Sequence, residues 1–131
     1  MGTIKLNIME KEFIPYKQAL ALKELGFNPD VFKSYDTSVV NLDGQFLLDY
    51  YYNVKSVNEV KAPLYQQAFR WFREKYGLFH SITEYNKDGS LIIEISKDRV
   101  EIFRKMTNFD FTEYRESELE CLKKLIEILN G

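Results

Sequence analysis

The chain has 131 residues, 45% hydrophobic and 29% charged, with a formal charge of −2 from 18 basic and 20 acidic residues. That size and balance describe one globular domain, 1–131, and argue against a disordered tail, a nucleic-acid-binding arm or an acidic DNA mimic. A single cysteine rules out an intramolecular disulfide, and with a single histidine no zinc-ligand spacing exists, so neither metal nor cofactor is expected.

Thr3 to Met9 alternates, with Ile4, Leu6 and Ile8 on one side, which reads as a first strand. Pro15 suits the first position of a helix, Tyr16–Leu25 is rich in helix formers, and Gly26 is a natural left-handed stop. Val31–Tyr35 and Gln45–Tyr52 are β-rich segments around Asn41-Leu42-Asp43-Gly44, whose Asp-Gly supports a hairpin turn, and the polar stretch 53–61 reads as loop. Pro63 opens a second helix that Gly77 ends at Tyr76. Phe79–Tyr85 and Leu91–Ile95 then flank Asp88-Gly89, and Arg99–Phe103 extends the same sheet. The last helix runs over Glu113–Leu129, with Asp110 or Thr112 as its cap.

These elements predict an α+β fold: three helices packed on an antiparallel sheet of four to six strands, with hairpins between the helices. There is an internal echo as well. Tyr16-x-Gln18-Ala19 and Tyr65-x-Gln67-Ala68 each start a helix that ends at glycine and leads to an Asp-Gly hairpin. Two such units fall short of a repeat array.

Catalytic signatures are missing. There is no P-loop, nucleophile elbow or dinucleotide fingerprint, and the six glycines stand singly. His80 reads as a half-exposed strand residue and Cys121 as a small hydrophobe. Glu94 and Glu101 lie near the sheet without a spacing that makes them a catalytic pair. The cluster Glu116, Glu118, Glu120, Lys123, Lys124 and Glu127 reads as a solvated helix face with a Glu120–Lys124 pair.

The second helix is the most informative segment. On a helical wheel Leu64, Tyr65, Ala68, Phe69, Trp71, Phe72 and Tyr76 fill an arc of about 160°, the expected core face. Opposite lie Gln66, Gln67, Arg70, Arg73 and Glu74, with Trp71 at the border beside Gln67. Gln66, Gln67, Arg70, Trp71 and Arg73 are therefore the candidate binding residues, because Arg and Trp are enriched where binding energy concentrates. The same face also reads as a solubilising surface with an Arg70–Glu74 pair. All five arginines lie in the second half of the chain.

The segments EFIPYKQALALKELGF (12–27), APLYQQAFRWFREKYGL (62–78) and ESELECLKKLIEIL (116–129) together resemble a group of small uncharacterised proteins encoded by phages and prophages of Bacteroidota. Ser117 stands where alanine is more usual in that group. The resemblance implies a phage or prophage origin and assigns no activity, ligand or catalytic residue.

The expected function is that of a non-catalytic phage accessory protein that binds a host or phage protein. The alternative is a small-ligand binder holding a nucleotide-like molecule between aromatics, and the third reading is an enzyme of unrecognised type. Nucleic acid is not an expected partner, and a second copy of the chain is left open. No run of 18 apolar residues occurs, so no membrane contact is expected and the expected location is the cytoplasm, that of the bacterial host if phage-encoded.

Overall fold

Tyr16–Glu24 forms the first helix (α1), and its end shows how directly the sequence writes local structure. Gly26 takes φ 97°, the Phe27 N–H reaches the Leu22 carbonyl at 2.9 Å and the Gly26 N–H reaches that of Lys23 at 3.0 Å. This is the paired closure that satisfies the last helical carbonyls, and both Leu22 and Phe27 are buried beside it. Pro15 stands one position outside the helix, as its N-cap, in extended backbone.

The computed structural model describes residues 12–41, 44–49, 59–85, 89–107 and 113–131. It has three helices and six strands among those residues, an α+β fold. The strands fall into two three-stranded antiparallel sheets rather than one. The chain divides into two compact units, 1–65 and 66–131. The expected strand at Thr3–Met9 and the cap candidates Asp110 and Thr112 lie outside the described residues.

In the first unit α1 is followed by β1 (Lys33–Asn41), β2 (Gly44–Asp49) and β3 (Glu59–Ala62), in the sheet order β2-β1-β3. Asn41 pairs with Gly44, the two ends of the Asn41–Gly44 segment read as the turn, with Gly44 itself the first residue of β2. β3 corrects the reading of 53–61 as loop. Its residues pair with Lys33–Asp36, and Val60 and Ala62 are fully buried. α1 packs against β3. The Tyr35 hydroxyl donates to the Ile14 carbonyl at 2.7 Å, and the Tyr16 ring meets that of Tyr35 edge-on at 5.5 Å. The Lys61 ammonium donates to both the carbonyl and side-chain oxygens of Asn28 and to the Pro29 carbonyl, which ties the Asn28-Pro29 segment to β3.

The second unit contains α2 (Tyr65–Tyr76, whose first residue closes the first unit), β4 (Leu78–Glu84), β5 (Leu91–Lys97), β6 (Val100–Met106) and α3 (Tyr114–Asn130). Here the strands form a simple meander, β4-β5-β6. The two units thus share a helix and three strands in sequence but not a strand order. The middle strand is the first of its set in one and the second in the other.

α2 is oriented as its wheel predicts. Ala68, Phe69, Trp71 and Phe72 are buried, and Gln66, Arg70, Arg73 and Glu74 are exposed. Gly77 ends it at φ 65°, with its N–H on the Arg73 carbonyl. α3 covers β4 and β5 with Cys121, Leu122, Leu125 and Ile126. No helix is long and apolar enough to cross a membrane among the described residues.

Candidate functional site

The polar face of α2 is largely occupied with contacts of its own. Arg70 Nε donates to Glu74 Oε1 at 2.8 Å, an exposed i,i+4 pair. Gln66 Nε2 donates to Glu118 Oε2 at 3.5 Å, and Gln67 is half-buried and engaged within the chain. Trp71 is 8% exposed, edge-on to Phe72 and Tyr76 with the Lys75 ammonium over its indole. Of the five candidates, the structure places Gln66, Arg70 and Arg73 together on the outer side of one helix. Trp71 belongs to the opposite, packed side.

His80 lies under α2. Its ring stacks on Phe69 at 3.8 Å, and burial together with the nearby Arg73 guanidinium pushes its pKa down to about 4. It is a neutral, stacked ring at physiological pH. The Cys121 thiol is fully buried and pushed up to about 12 by burial and by Glu118, so no thiolate nucleophile is present there.

Glu118 overturns part of the solvated-face reading of α3. It is only 6% exposed, beside the wholly buried Ser117 and Cys121, and burial raises its carboxyl above the ordinary range against a smaller opposing effect of Arg115. Among the described residues the Ser117 hydroxyl has no hydrogen-bond partner. Glu120 takes Lys105 of β6 as its ion-pair partner. Lys124 pairs with Glu127 at 3.2 Å and lies over the Phe103 ring. Two of these contacts involve β6, which is why α3 alone could not reveal them.

The second sheet has one face toward the helices, carrying His80, Ile95, Phe103 and Lys105. The strand register puts Phe79, Ser81 and Thr83 of β4, Ile92, Glu94 and Ser96 of β5, and Arg104 and Met106 of β6 on the other face. Ile92 is buried, but Phe79 is 51% and Met106 53% exposed. On the outer strand Val100 is 61% and Ile102 47% exposed. Across the open face Arg104 Nε meets Glu94 Oε1 at 3.5 Å. Glu94 is therefore an ion-pair partner rather than half of a carboxylate dyad. Sequence reading missed this apolar surface. β6, VEIFRKM, does not alternate cleanly, so its sequence does not say which of its apolar side chains are exposed.

Among the described residues no group of three or more His, Cys, Asp or Glu side chains is placed to hold a metal ion. Tyr50, Tyr51 and Tyr52 lie outside the described residues. No protein-family model, curated protein or solved structure matches the chain.

Proposed function

We propose that this chain is a non-catalytic accessory protein, of phage or prophage origin, that binds a host or phage protein through the open side of its second sheet. One observation carries this. Phe79, Val100, Ile102 and Met106, each about half exposed or more, all belong to one three-stranded sheet. Phe79 and Met106 lie on its open face with Arg104 and Glu94, and exposed apolar side chains mixed with an ion pair have the composition of a protein contact. The titratable groups point the same way. His80 is stacked and neutral, Cys121 is inert, and Glu94 is paired with Arg104. The rings of Tyr35, Tyr65, Phe69, Trp71 and Phe72 are buried in packing, which favours a surface-binding role over a nucleotide held between aromatics.

The test is affinity capture from the bacterial host with the parent and with Phe79→Asp combined with Met106→Asp. Both substitutions lie on the open face, so the variant should melt like the parent and recover less of the partner. Equal recovery of the same partner by both proteins overturns the proposal.

A further inference from the structure

We propose that β4 pairs antiparallel with β4 of a second copy of the chain, about a two-fold axis at Ile82. An outer strand presents a row of backbone donors and acceptors, and such edges are protected by charge, bulges or cover. β6, one outer strand of this sheet, has that protection. It carries Glu101, Arg104 and Lys105, and its ladder with β5 slips at Ile102. β4, the other, runs against β5 without a slip from Leu78 to Glu84, and Glu84 is its one charged side chain beside a neutral His80. No further strand lies beside it among the described residues.

The hydrogen bonds define what this edge offers. The Tyr85 N–H donates to the Ser90 carbonyl at 2.7 Å, so Tyr85 points its backbone groups at β5. By the antiparallel alternation Thr83, Ser81 and Phe79 do the same, while His80, Ile82 and Glu84 turn theirs outward. The Leu91 carbonyl, opposite Glu84, is taken by the Thr107 N–H on the β6 side, which agrees. Side chains alternate in step: Phe79, Ser81, Thr83 and Tyr85 project to the open face. Because the register is unbroken, a second β4 turned about a residue meets outward backbone with outward backbone and open face with open face.

The side chains select both the partner and the axis. With Ile82 opposite Ile82, His80 meets Glu84, Ser81 meets Thr83 and Phe79 meets Tyr85, each twice. Phe79 and Tyr85 are 51% and 49% exposed, and they stand equally far from Ile82 on either side. The pairing covers each with the other. Hydroxyl meets hydroxyl, an imidazole N–H meets a carboxylate, and no like charges face each other. Moving the axis by one residue separates the aromatics. At Ser81 it sets Phe79 against Thr83, and at Thr83 it sets Tyr85 against Ser81. A strand that complements itself on every pair is what an isologous contact needs, so the occupant is a second copy. The contact joins two meanders into one six-stranded sheet.

The test is sedimentation equilibrium of the full chain across concentration. It compares the parent, Ser81→Lys with Thr83→Lys, Ser81→Glu with Thr83→Glu, and an equimolar mixture of the two variants. The parent should shift from monomer to dimer below about 1 mM. Each variant alone sets like charges opposite each other and should dimerise at least about tenfold more weakly. The mixture should recover association, since each introduced lysine faces an introduced glutamate. A parent that stays monomeric overturns the proposal, as does a mixture no better than its components. If a melt shows either variant unfolded, Ile82→Pro takes their place. It removes an N–H that points away from β5, a change an outer strand tolerates, and it should stay monomeric. Dimerisation equal to the parent's would decide against the pairing. Phe79 belongs both to this contact and to the partner-binding surface, whereas Met106 belongs to the latter alone. Met106→Asp should therefore self-associate like the parent whatever it does to partner binding, and loss of self-association there would place the contact away from β4 and overturn the proposal.

Discussion

The His80 imidazole lies against the Phe69 ring with centroids 3.8 Å apart and planes 22° apart. A stacked, largely desolvated imidazole beside a guanidinium resists protonation, and its pKa falls from 6.5 to about 4. Between those values the unfolded chain takes up a proton that the folded chain refuses, so stability contributed by His80 is lost as pH falls. Urea melts from pH 7 to pH 4 should show this slope, and His80→Phe, which keeps the stack, should reduce it. An NMR titration placing the His80 pKa above 6 would remove the basis for the prediction.

Glu118 has the opposite sign. Its carboxyl is raised by burial, so the folded chain keeps a proton that the unfolded chain has already lost. Stability from this group is full below the ordinary carboxylate pKa and declines as pH rises through the raised folded value. Glu118→Gln keeps the neutral shape and can still bond Gln66. It should melt above the parent at pH 8, with the gap closing toward pH 4. A gap independent of pH would show that Glu118 is not held in that state.

Phe72 is fully buried on α2, whereas Arg70 is exposed and pairs with Glu74. Phe72→Ala should cost about 3–5 kcal/mol in urea unfolding. Arg70→Ala should stay within about 0.5 kcal/mol of the parent, as exposed pairs contribute little. Similar losses in the two variants would mean that α2 is turned differently on its unit.

The β5–β6 turn places Asp98 at φ 53° and Arg99 at φ 66°, two side-chain-bearing residues in left-handed backbone. A two-residue hairpin turn of this hand favours Asn-Gly, because a Cβ in that conformation crowds the backbone. Asp98→Asn with Arg99→Gly should stabilise the protein by about 0.5–1 kcal/mol, after the larger unfolded-state entropy of glycine is discounted. Loss of stability would reveal that the Arg99 side chain makes a contact outweighing its strain.

Local chemistry was readable in the sequence where one short segment decides the outcome. Gly26 and Gly77 end helices at positive φ, Asn41 pairs with Gly44 at the ends of the segment read as a turn, and the aromatic arc of α2 faces inward. Features that depend on distant partners were not readable. β3 is four residues, EVKA, with charges at alternate positions, and only its pairing with β1 makes it a strand. Glu118 carries the same letter as the exposed Glu116, and its burial follows from the rotation of α3 on β4 and β5. Of the site residues, Gln66, Arg70 and Arg73 lie on the predicted side of α2. The apolar surface of the second sheet was hidden because it depends on where the last strand falls.

The difference in strand order has a consequence for how the chain comes together in time. In the meander, paired residues of β4 and β5 are at most 19 apart in sequence, from Leu78 to Lys97, and those of β5 and β6 at most 14. In the first unit β1 cannot gain its second neighbour until the chain has returned from beyond β2. Its contacts with β3 span 23 to 29 residues, from Asp36–Glu59 to Lys33–Ala62. Closing longer loops costs more entropy before any contact repays it, so sheets built from nearby residues assemble sooner. During refolding the β4-β5-β6 sheet should acquire amide protection ahead of β3, which makes Val60 and Ala62 among the last core residues to be sealed.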